Sequence, residues 1–416
     1  MPDELTRLMR DPNLLPSEKQ ILLSNIASLA AVLSMPCYVV GGFVRDLLLG
    51  RPVNDLDVVV EGDAIQLGKK LVETYGGKLT PHFKFHTAIW HLPDSDDFVD
   101  LITARKETYD RSGALPSVTP ATIEDDLSRR DFTINAMALR LDGERFGEVL
   151  DPLKGQADLE RGVIRVLHPK SFIDDPTRVF RAIRYEGRYS FKLDADTQTL
   201  INPEALKVLH SLSGERLRHE LDLILDEDQS VAMLVRVATL GVLTAIHPKM
   251  PEFNTDYEDF LEMDVRLDVA ADRRVMGYML WFIDLAEADV ITLANRLDFT
   301  NELTLAVWAA AQLKRGLPHL IDSRPSEWTY ALEKLPLLSI YAVYLVSREN
   351  ALLSYISIWR HVKPQTSGDD LKKLGLQPGP RFGEILTELR SAWLDGVLTN
   401  KTEEEELLRS LIVPRS

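Results

Sequence analysis

Gly41-Gly42-Phe43-Val44-Arg45-Asp46-Leu47-Leu48-Leu49-Gly50-Arg51-Pro52-Val53-Asn54-Asp55-Leu56-Asp57 is the stretch on which the fold of this chain turns. It follows the short apolar run Tyr38-Val39-Val40. Two glycines between a strand and a helix permit positive φ and close backbone approach. The spacing predicts a helix from Phe43 to Leu49, stopped by Gly50-Arg51-Pro52. The N-terminus of such a helix offers free N–H groups and a positive dipole end, which suits an anion. Arg45, one turn in, adds a guanidinium for the same phosphate. Leu56 to Val60 is β-branched and reads as a strand. Asp55 and Asp57, two residues apart, then share one face of it. Two adjacent carboxylates repel each other unless a hard cation bridges them. Mg²⁺ shared with a nucleoside triphosphate fits this pair and suits two-metal phosphoryl transfer. Asp100, flanked by Val99 and Leu101, has the strand context for a third carboxylate. Taken alone, Asp-x-Asp also describes a solvated strand end. The glycine turn, Arg45 and the strand–turn–helix–strand setting make it specific.

Working outward, residues from about 36 to 150 alternate strand and helix patterns. Asp63 to Tyr75 is amphipathic, with Asp63 as its cap and Gly76-Gly77 as its stop. Thr87 to Leu92 and Phe98 to Ile102 read as strands joined by the turn-rich Pro93-Asp94-Ser95-Asp96. An amphipathic helix, Glu18 to Leu33, precedes this unit, after a polar lead-in. From about residue 170 helical segments follow one another and strand signals almost vanish. The coarse architecture is α+β: a mixed-sheet head with a long all-helical remainder. Leu335 to Val346 is apolar but too short to span a bilayer and reads as a buried helix. Glu403 to Glu406 reads as a solvated face or a first helical turn.

Two further clusters carry chemistry. Arg129-Arg130-Asp131-Phe132-Thr133-Ile134-Asn135-Ala136 packs two guanidiniums, a carboxylate and an amide into one turn-like stretch. Arginine suits phosphate, while Asp and Asn suit sugar hydroxyls; a structural ion-pair network fits equally. Asp174-Asp175-Pro176-Thr177-Arg178 opens a helix with proline in its first turn and acids at its positive end. Arg178, Arg181 and Arg184 then fall on one face, which needs an acidic or anionic partner. Thr103 to Asp125, with Arg105, Lys106, Arg111, Gly113, Pro116 and Pro120, reads as a long loop of the functional or disordered kind.

The Gly41–Asp57 segment resembles the signature of the class II tRNA nucleotidyltransferases and bacterial poly(A) polymerases of the DNA polymerase β superfamily. That resemblance implies a polymerase-β-like nucleotidyltransferase head over residues 1–167. A helical neck (168–228), body (229–345) and tail (346–416) would follow. It implies that Asp55 and Asp57 hold two Mg²⁺ ions, with Asp100 as a third catalytic acid, and that Gly41, Gly42 and Arg45 lie at the triphosphate. Arg130, Asp131 and Asn135, with Arg129 close by, would meet the sugar and phosphates. Asp151 to Leu159 with Ile164-Arg165 looks like a structural third motif. Asp175 and Arg178 would read the base edge in place of a template, with Asp174 orienting them where the pattern usually has Glu, and Arg181 on the same helix face. The Thr103–Asp125 segment is one the family uses to switch from C to A, so its presence disfavours a CC-only enzyme.

The activity so implied is addition of CMP and AMP, from CTP and ATP, to the 3′ end of tRNA (CCA addition). Alternatives are an enzyme adding only A, a poly(A) polymerase and an inactive RNA-binding protein. Gly368 to Gly383 reads as helix–hairpin–helix, either an ordinary connection or an RNA grip with Lys372, Lys373 and Arg381 as the contacts.

The bulk numbers constrain less. With 416 residues, more than one domain is expected. The net charge of −16 speaks against a polyanion partner at first sight, but such binding needs a local basic stripe and not a basic total. The single cysteine, Cys37, sits in an apolar run, reads as a buried hydrophobe and suits a reducing, cytoplasmic setting. No membrane span is expected, and a monomer or weak homodimer is. His82, His86 and His91 have no cysteine partner nearby and make a poor zinc set.

Overall fold

A computed structural model describes residues 2–108, 113, 117–260 and 272–412. The chain divides into two compact units. The first holds residues up to Leu212 together with Arg236–Ile246; the second holds Ser213–Val235 and the chain from His247 onward.

The first unit opens with helices α1 (Pro2–Met9) and α2 (Ser17–Val32). The sequence pattern missed α1, reading it as a lead-in: at two turns it is too short to show a clear period. Then come β1 (Cys37–Val40), α3 (Gly42–Leu48), β2 (Asp57–Val60), α4 (Ala64–Tyr75) and β3 (Lys78–His82). β4 (Thr87–His91), β5 (Phe98–Thr103), β6 (Arg105–Thr108), β7 (Ser117–Pro120) and α5 (Ile123–Ser128) follow. β8 (Ala138–Arg140), β9 (Val149–Leu150), α6 (Gly155–Arg161), α7 (Ser171–Asp174) and α8 (Arg178–Tyr189) complete the elements used below.

Seven strands form one sheet in the order β3-β4-β5-β2-β1-β8-β9. Only β2 and β5 run parallel; every other neighbouring pair is antiparallel, so the sheet is mixed. The parallel pair requires a crossover, and α4 supplies it. Asp63 caps α4 by accepting from the N–H groups of Ile65 and Gln66, and Gly76 ends it at φ +82°. The helix lies close on the sheet because Gly68 has no side chain. A Cβ there would come within 2.5 Å of Leu79 and 3.1 Å of Leu101. Alternation along the strands then sends Asp57, Asp100, Ile89 and Thr80 to the opposite face. Part of that opposite face is covered by α5, whose Ile123 and Leu127 pack with Tyr38, Val40, Val59 and Ala138.

The expected Thr103–Asp125 loop is a correction. Its described parts form an antiparallel ribbon in which β6 pairs with β7, with Arg105 opposite Pro120 and Thr108 opposite Ser117, followed by α5. Polar residues on both faces of the ribbon concealed the strand pattern. Arg111 and Pro116 lie outside the described residues.

Helices dominate the second unit. Its interior is apolar and aromatic: Tyr278, Trp281 and Phe282 pack together with Phe299. The apolar run expected as a buried helix forms Leu337–Ser347. Glu403–Glu406 agrees with the first-turn alternative, with Glu403 and Glu404 in the opening turn of their helix, and departs from the solvated one. It belongs to helix Lys401–Ile412, but Glu404 is buried and accepts from the N–H groups of Gln365 and Thr366, the Thr366 hydroxyl and the Trp393 indole. One carboxylate thus satisfies donors of an otherwise unpaired turn. No helix among the described residues is long and apolar enough to cross a membrane.

Candidate active site

Asp57 opens β2 and Asp100 stands beside it in parallel register. Asp55 lies two residues before the start of the strand and is exposed. Burial, and then the charge of Asp100, push the Asp57 carboxyl above its ordinary range; Arg130 pulls it back, and Asp55 and Asp126 add to the rise. Asp100 is raised by burial and then by Asp55, with His82 acting in the opposite sense. Asp55 therefore acts on both partners, and the three acids occupy one field. Among the described residues no three His, Cys, Asp or Glu side chains gather into a metal cage. A cluster of mutually repelling acids short of a full cage suits a hard cation that takes its other ligands from water and phosphate oxygens.

Gly41 makes the turn from β1 into α3 at φ +62° and ψ −117°. A side chain is excluded there twice over: by that backbone conformation, and because a Cβ would lie 2.6 Å from Nη1 of Arg130. Gly42 begins α3. The guanidinium of Arg130 thus stands beside Gly41, and Nη2 of Arg45 would lie 3.5 Å from a Cβ at Gly42. Arg45, expected at the triphosphate, is only 6 % exposed. Its Nε and Nη2 donate to the two carboxylate oxygens of Asp46 at 2.9 Å, and its Nη1 to Oδ1 of Asn135 at 2.7 Å. The rings of Tyr189 and Tyr185 lie 4.7 and 5.3 Å from it. Arg45 ties α3 to the Thr133–Asn135 turn and to α8.

Asp126, which the sequence reading passed over, holds the next cluster together. It is fully buried. Its Oδ1 accepts from Nε and Nη2 of Arg129, and its Oδ2 from Nε and Nη2 of Arg130. Despite burial, the two guanidiniums keep its carboxyl below the ordinary range. Arg129 also donates to Glu107 on β6 at 2.7 Å, and Glu107 meets Arg105. The i, i+3 and i, i+4 spacing of Asp126, Arg129 and Arg130 was the available signal.

Asp131 and Asn135 do meet. Oδ1 of Asp131 accepts from Nδ2 of Asn135 at 3.0 Å and from the N–H of Phe132 at 2.8 Å. Oδ2 accepts from Nε of Arg181 at 2.8 Å. Tyr185 closes the group, its hydroxyl accepting from Asn135 and Arg181.

Burial would raise the Asp131 carboxyl, yet Arg181 and Asn135 hold it below the ordinary range. The folded protein then binds fewer protons than the unfolded chain over that window. This contribution to stability is complete above the ordinary carboxylate pKa, near about 4, and fades as pH falls through the lowered value. Asp131→Asn is therefore expected to flatten the acid limb of Tm against pH below about 4 relative to wild type. An unchanged acid limb would show that the pair contributes nothing.

The 174–184 segment departs from the expected helix opening. Asp174 ends α7, Asp175 is its extended cap, and α8 starts only at Arg178, with Pro176 ahead of the first turn. Oδ1 of Asp175 accepts from the Thr177 hydroxyl at 2.7 Å and from its N–H at 3.2 Å. Arg178 is 6 % exposed, donating to the Ser171 hydroxyl at 2.6 Å and to the Arg129 carbonyl at 2.9 Å. The expected open arginine face on α8 is thus partly closed at Arg178. A cleft of about 190 Å³ remains, lined by Lys106, Arg129, His168, Asp174 and Arg178 among others. It joins the β6–β7 ribbon to the Asp174–Arg178 segment.

In the second unit, Lys372 and Lys373 lie on helix Gly368–Lys373 and pair with Asp369 and Asp370. Arg381, on helix Pro380–Leu394, pairs with Glu384 and donates to the Leu411 carbonyl. All three are exposed.

Comparison with known proteins meets this geometry. Residues 37–165 match the poly A polymerase head domain. An A-adding tRNA nucleotidyltransferase of Halalkalibacterium halodurans is 32 % identical, over 93 % of this chain and 91 % of that protein. One of Geobacter sulfurreducens is 34 % identical over 94 % of this chain, which spans 47 % of that longer protein. The solved apo form II of a CCA-adding enzyme superposes with a TM-score of 0.83 at 30 % identity, covering 98 % of both chains. The α+β expectation agrees with that structure, and the chain belongs to the family of tRNA nucleotidyltransferases that carry the poly A polymerase head.

Proposed function

We propose that this protein adds AMP from ATP to tRNA ending in CC. The observation that carries the reading is the full-length likeness to an A-adding relative, 32 % identical across nine tenths of both chains. This departs from the CCA addition first expected from the motifs, which stays as the second reading on the strength of the TM-score of 0.83 to a CCA-adding enzyme. CTP is then a substrate only under that second reading. The single buried cysteine, Cys37, supports a cytoplasmic setting.

Asp55 and Asp57 would hold Mg²⁺, with Asp100 beside them, because their mutual repulsion is what a divalent cation relieves. When bound, the metal supplies a lowered pKa for the attacking 3′-hydroxyl and charge neutralisation at the leaving pyrophosphate. The chain's own residues do the rest. The N–H groups at the start of α3 and the guanidinium of Arg130 bind the triphosphate beside Gly41, where no side chain intervenes. Arg45 positions this turn from below. Asp131 and Asn135 hold one another at the ribose. Asp174 and Arg178 border the cleft that takes the base, with Asp175 between them in the chain, and Arg129, whose carbonyl Arg178 holds, connects that cleft to the ribbon. In the second unit, Lys372, Lys373 and Arg381 offer cations to the phosphates of the tRNA, once their intrahelical acids are exchanged for it.

The test is product length. tRNA ending at the discriminator base and tRNA ending in CC are each incubated with ATP, with CTP and with both. One added A, only on the CC-ended substrate, is expected. Growth of the discriminator-ended tRNA by three nucleotides would replace this reading with CCA addition, and no extension of either would end both.

A further inference from the structure

The carboxylate-bearing face of the sheet is divided. Over β1, β2 and β8 it is covered by α5. α5 reaches Ile102 on β5, but among the described residues Asp100 and Phe98 of β5, with Ile89, His91 and Thr80 on β4 and β3, are only half-buried or exposed. Register fixes what lies there. Asp57, Asp100, Ile89 and Thr80 form one row across β2, β5, β4 and β3; Phe98, His91 and Lys78 form the next. The hydroxyl of Thr80 lies 3.2 Å from Nε2 of His91, and the His91 and Phe98 rings are 6.4 Å apart. These side chains therefore share the face, opposite the one Leu79 and Leu101 turn to α4. Phe98 is 51 % exposed, and Lys78 and His82 are exposed. His82, two residues from Thr80 on β3, falls on the same side. Asp94, Asp96 and Asp97 lie in the turn before Phe98 and bound the surface at that end.

Reaction geometry says what this surface faces. In phosphoryl transfer the attacking and leaving oxygens stand on opposite sides of the phosphorus. Under the proposed function, on which this inference rests, the triphosphate lies toward β1, at Gly41 and Arg130. The attacking 3′-hydroxyl then approaches from the β5 side. A solvent-facing aromatic with a lysine on the same face is a surface on which a single-stranded nucleic-acid base stacks.

We propose that the open half-sheet, with Phe98 and His91 as its stacking surface, Lys78 as its cation and His82 as a hydrogen-bonding edge, positions the 3′-terminal nucleotide of the acceptor RNA beside Asp100. The occupant is the RNA end and not the incoming nucleotide: the surface carries aromatic rings and the Lys78 ammonium, while the glycine turn and Arg130 lie across the carboxylates from it.

The experiment uses the full chain and a tRNA acceptor whose terminal nucleotide is replaced by fluorescent 2-aminopurine. Binding to wild type should quench the fluorophore by stacking. Phe98→Ala should abolish most of that quench and raise KM for RNA about tenfold, with KM for ATP unchanged. Phe98→Tyr should restore both. Lys78→Ala should raise KM for RNA and leave the quench. Unaltered RNA KM and quench in Phe98→Ala would overturn the inference. So would a parallel shift in both KM values with a lowered Tm and no rescue by tyrosine, which marks a structural role. Wild-type protein that incorporates no nucleotide into any tRNA would remove the proposed function, and this inference with it.

Discussion

Asp57→Ala is expected to abolish nucleotide incorporation, by about three orders of magnitude or more, because metal ions supply several kcal/mol of charge stabilisation in such transfers. Binding of tRNA should persist, since no cation of the site is removed. The same change should leave Tm unchanged or raise it. Asp57 is half-buried beside Asp100, and both carboxyls are pushed upward by burial and by neighbouring acids. Removing one relieves a repulsion that the fold holds in place for chemistry. Asp57→Asn separates charge from shape: it should be inactive and at least as stable as wild type. Residual turnover within tenfold of wild type would exclude Asp57 as a metal ligand. A marked fall in Tm would exclude the repulsion.

Asp126→Ala should have the largest effect on stability, a loss of about 3–5 kcal/mol, the usual consequence of removing one partner from a buried ion-paired network. The carboxylate is fully buried and takes four hydrogen bonds from two guanidiniums. Its removal leaves Arg129 with Glu107 and Arg130 without an anchor. Denaturant unfolding measures the loss. Asp126→Asn, which keeps the shape and part of the hydrogen bonding, should lose less stability and still weaken ATP binding, because Arg130 is no longer held beside Gly41. A loss below about 1 kcal/mol in Asp126→Ala would place it with ordinary surface pairs and sink the claim.

Much of the head was legible because its signals are local and periodic. Asp63 and Gly76 mark the ends of α4 by capping chemistry alone. β-branched runs mark β2. Burial at Arg45 and Arg178 was not legible, because side-chain type reports what a group can bind and not what the fold has already given it. Asp46, Asn135 and two tyrosines take up Arg45; Ser171 and a carbonyl take up Arg178. Asp126 was missed for the converse reason. Its short range to Arg129 and Arg130 resembles any exposed helical ion pair, and only the packing of α5 on the sheet buries it. The ribbon of β6 and β7 lacked an apolar face to betray it. In the second unit the helices were plain from their period, but the buried Glu404 was hidden inside an acidic run that looked solvated.

The parallel alignment of β2 with β5 carries a consequence for how the head assembles. Hairpin contacts among β3, β4 and β5 are short in sequence and form early, whereas β5 reaches β2 only after the crossover closes. That closing step forces like charges together, so it runs uphill electrostatically while apolar contacts drive it. Any divalent ion captured there lowers the barrier's electrostatic part and ties completion of the head to ligand supply. Refolding of this unit should then quicken in millimolar magnesium.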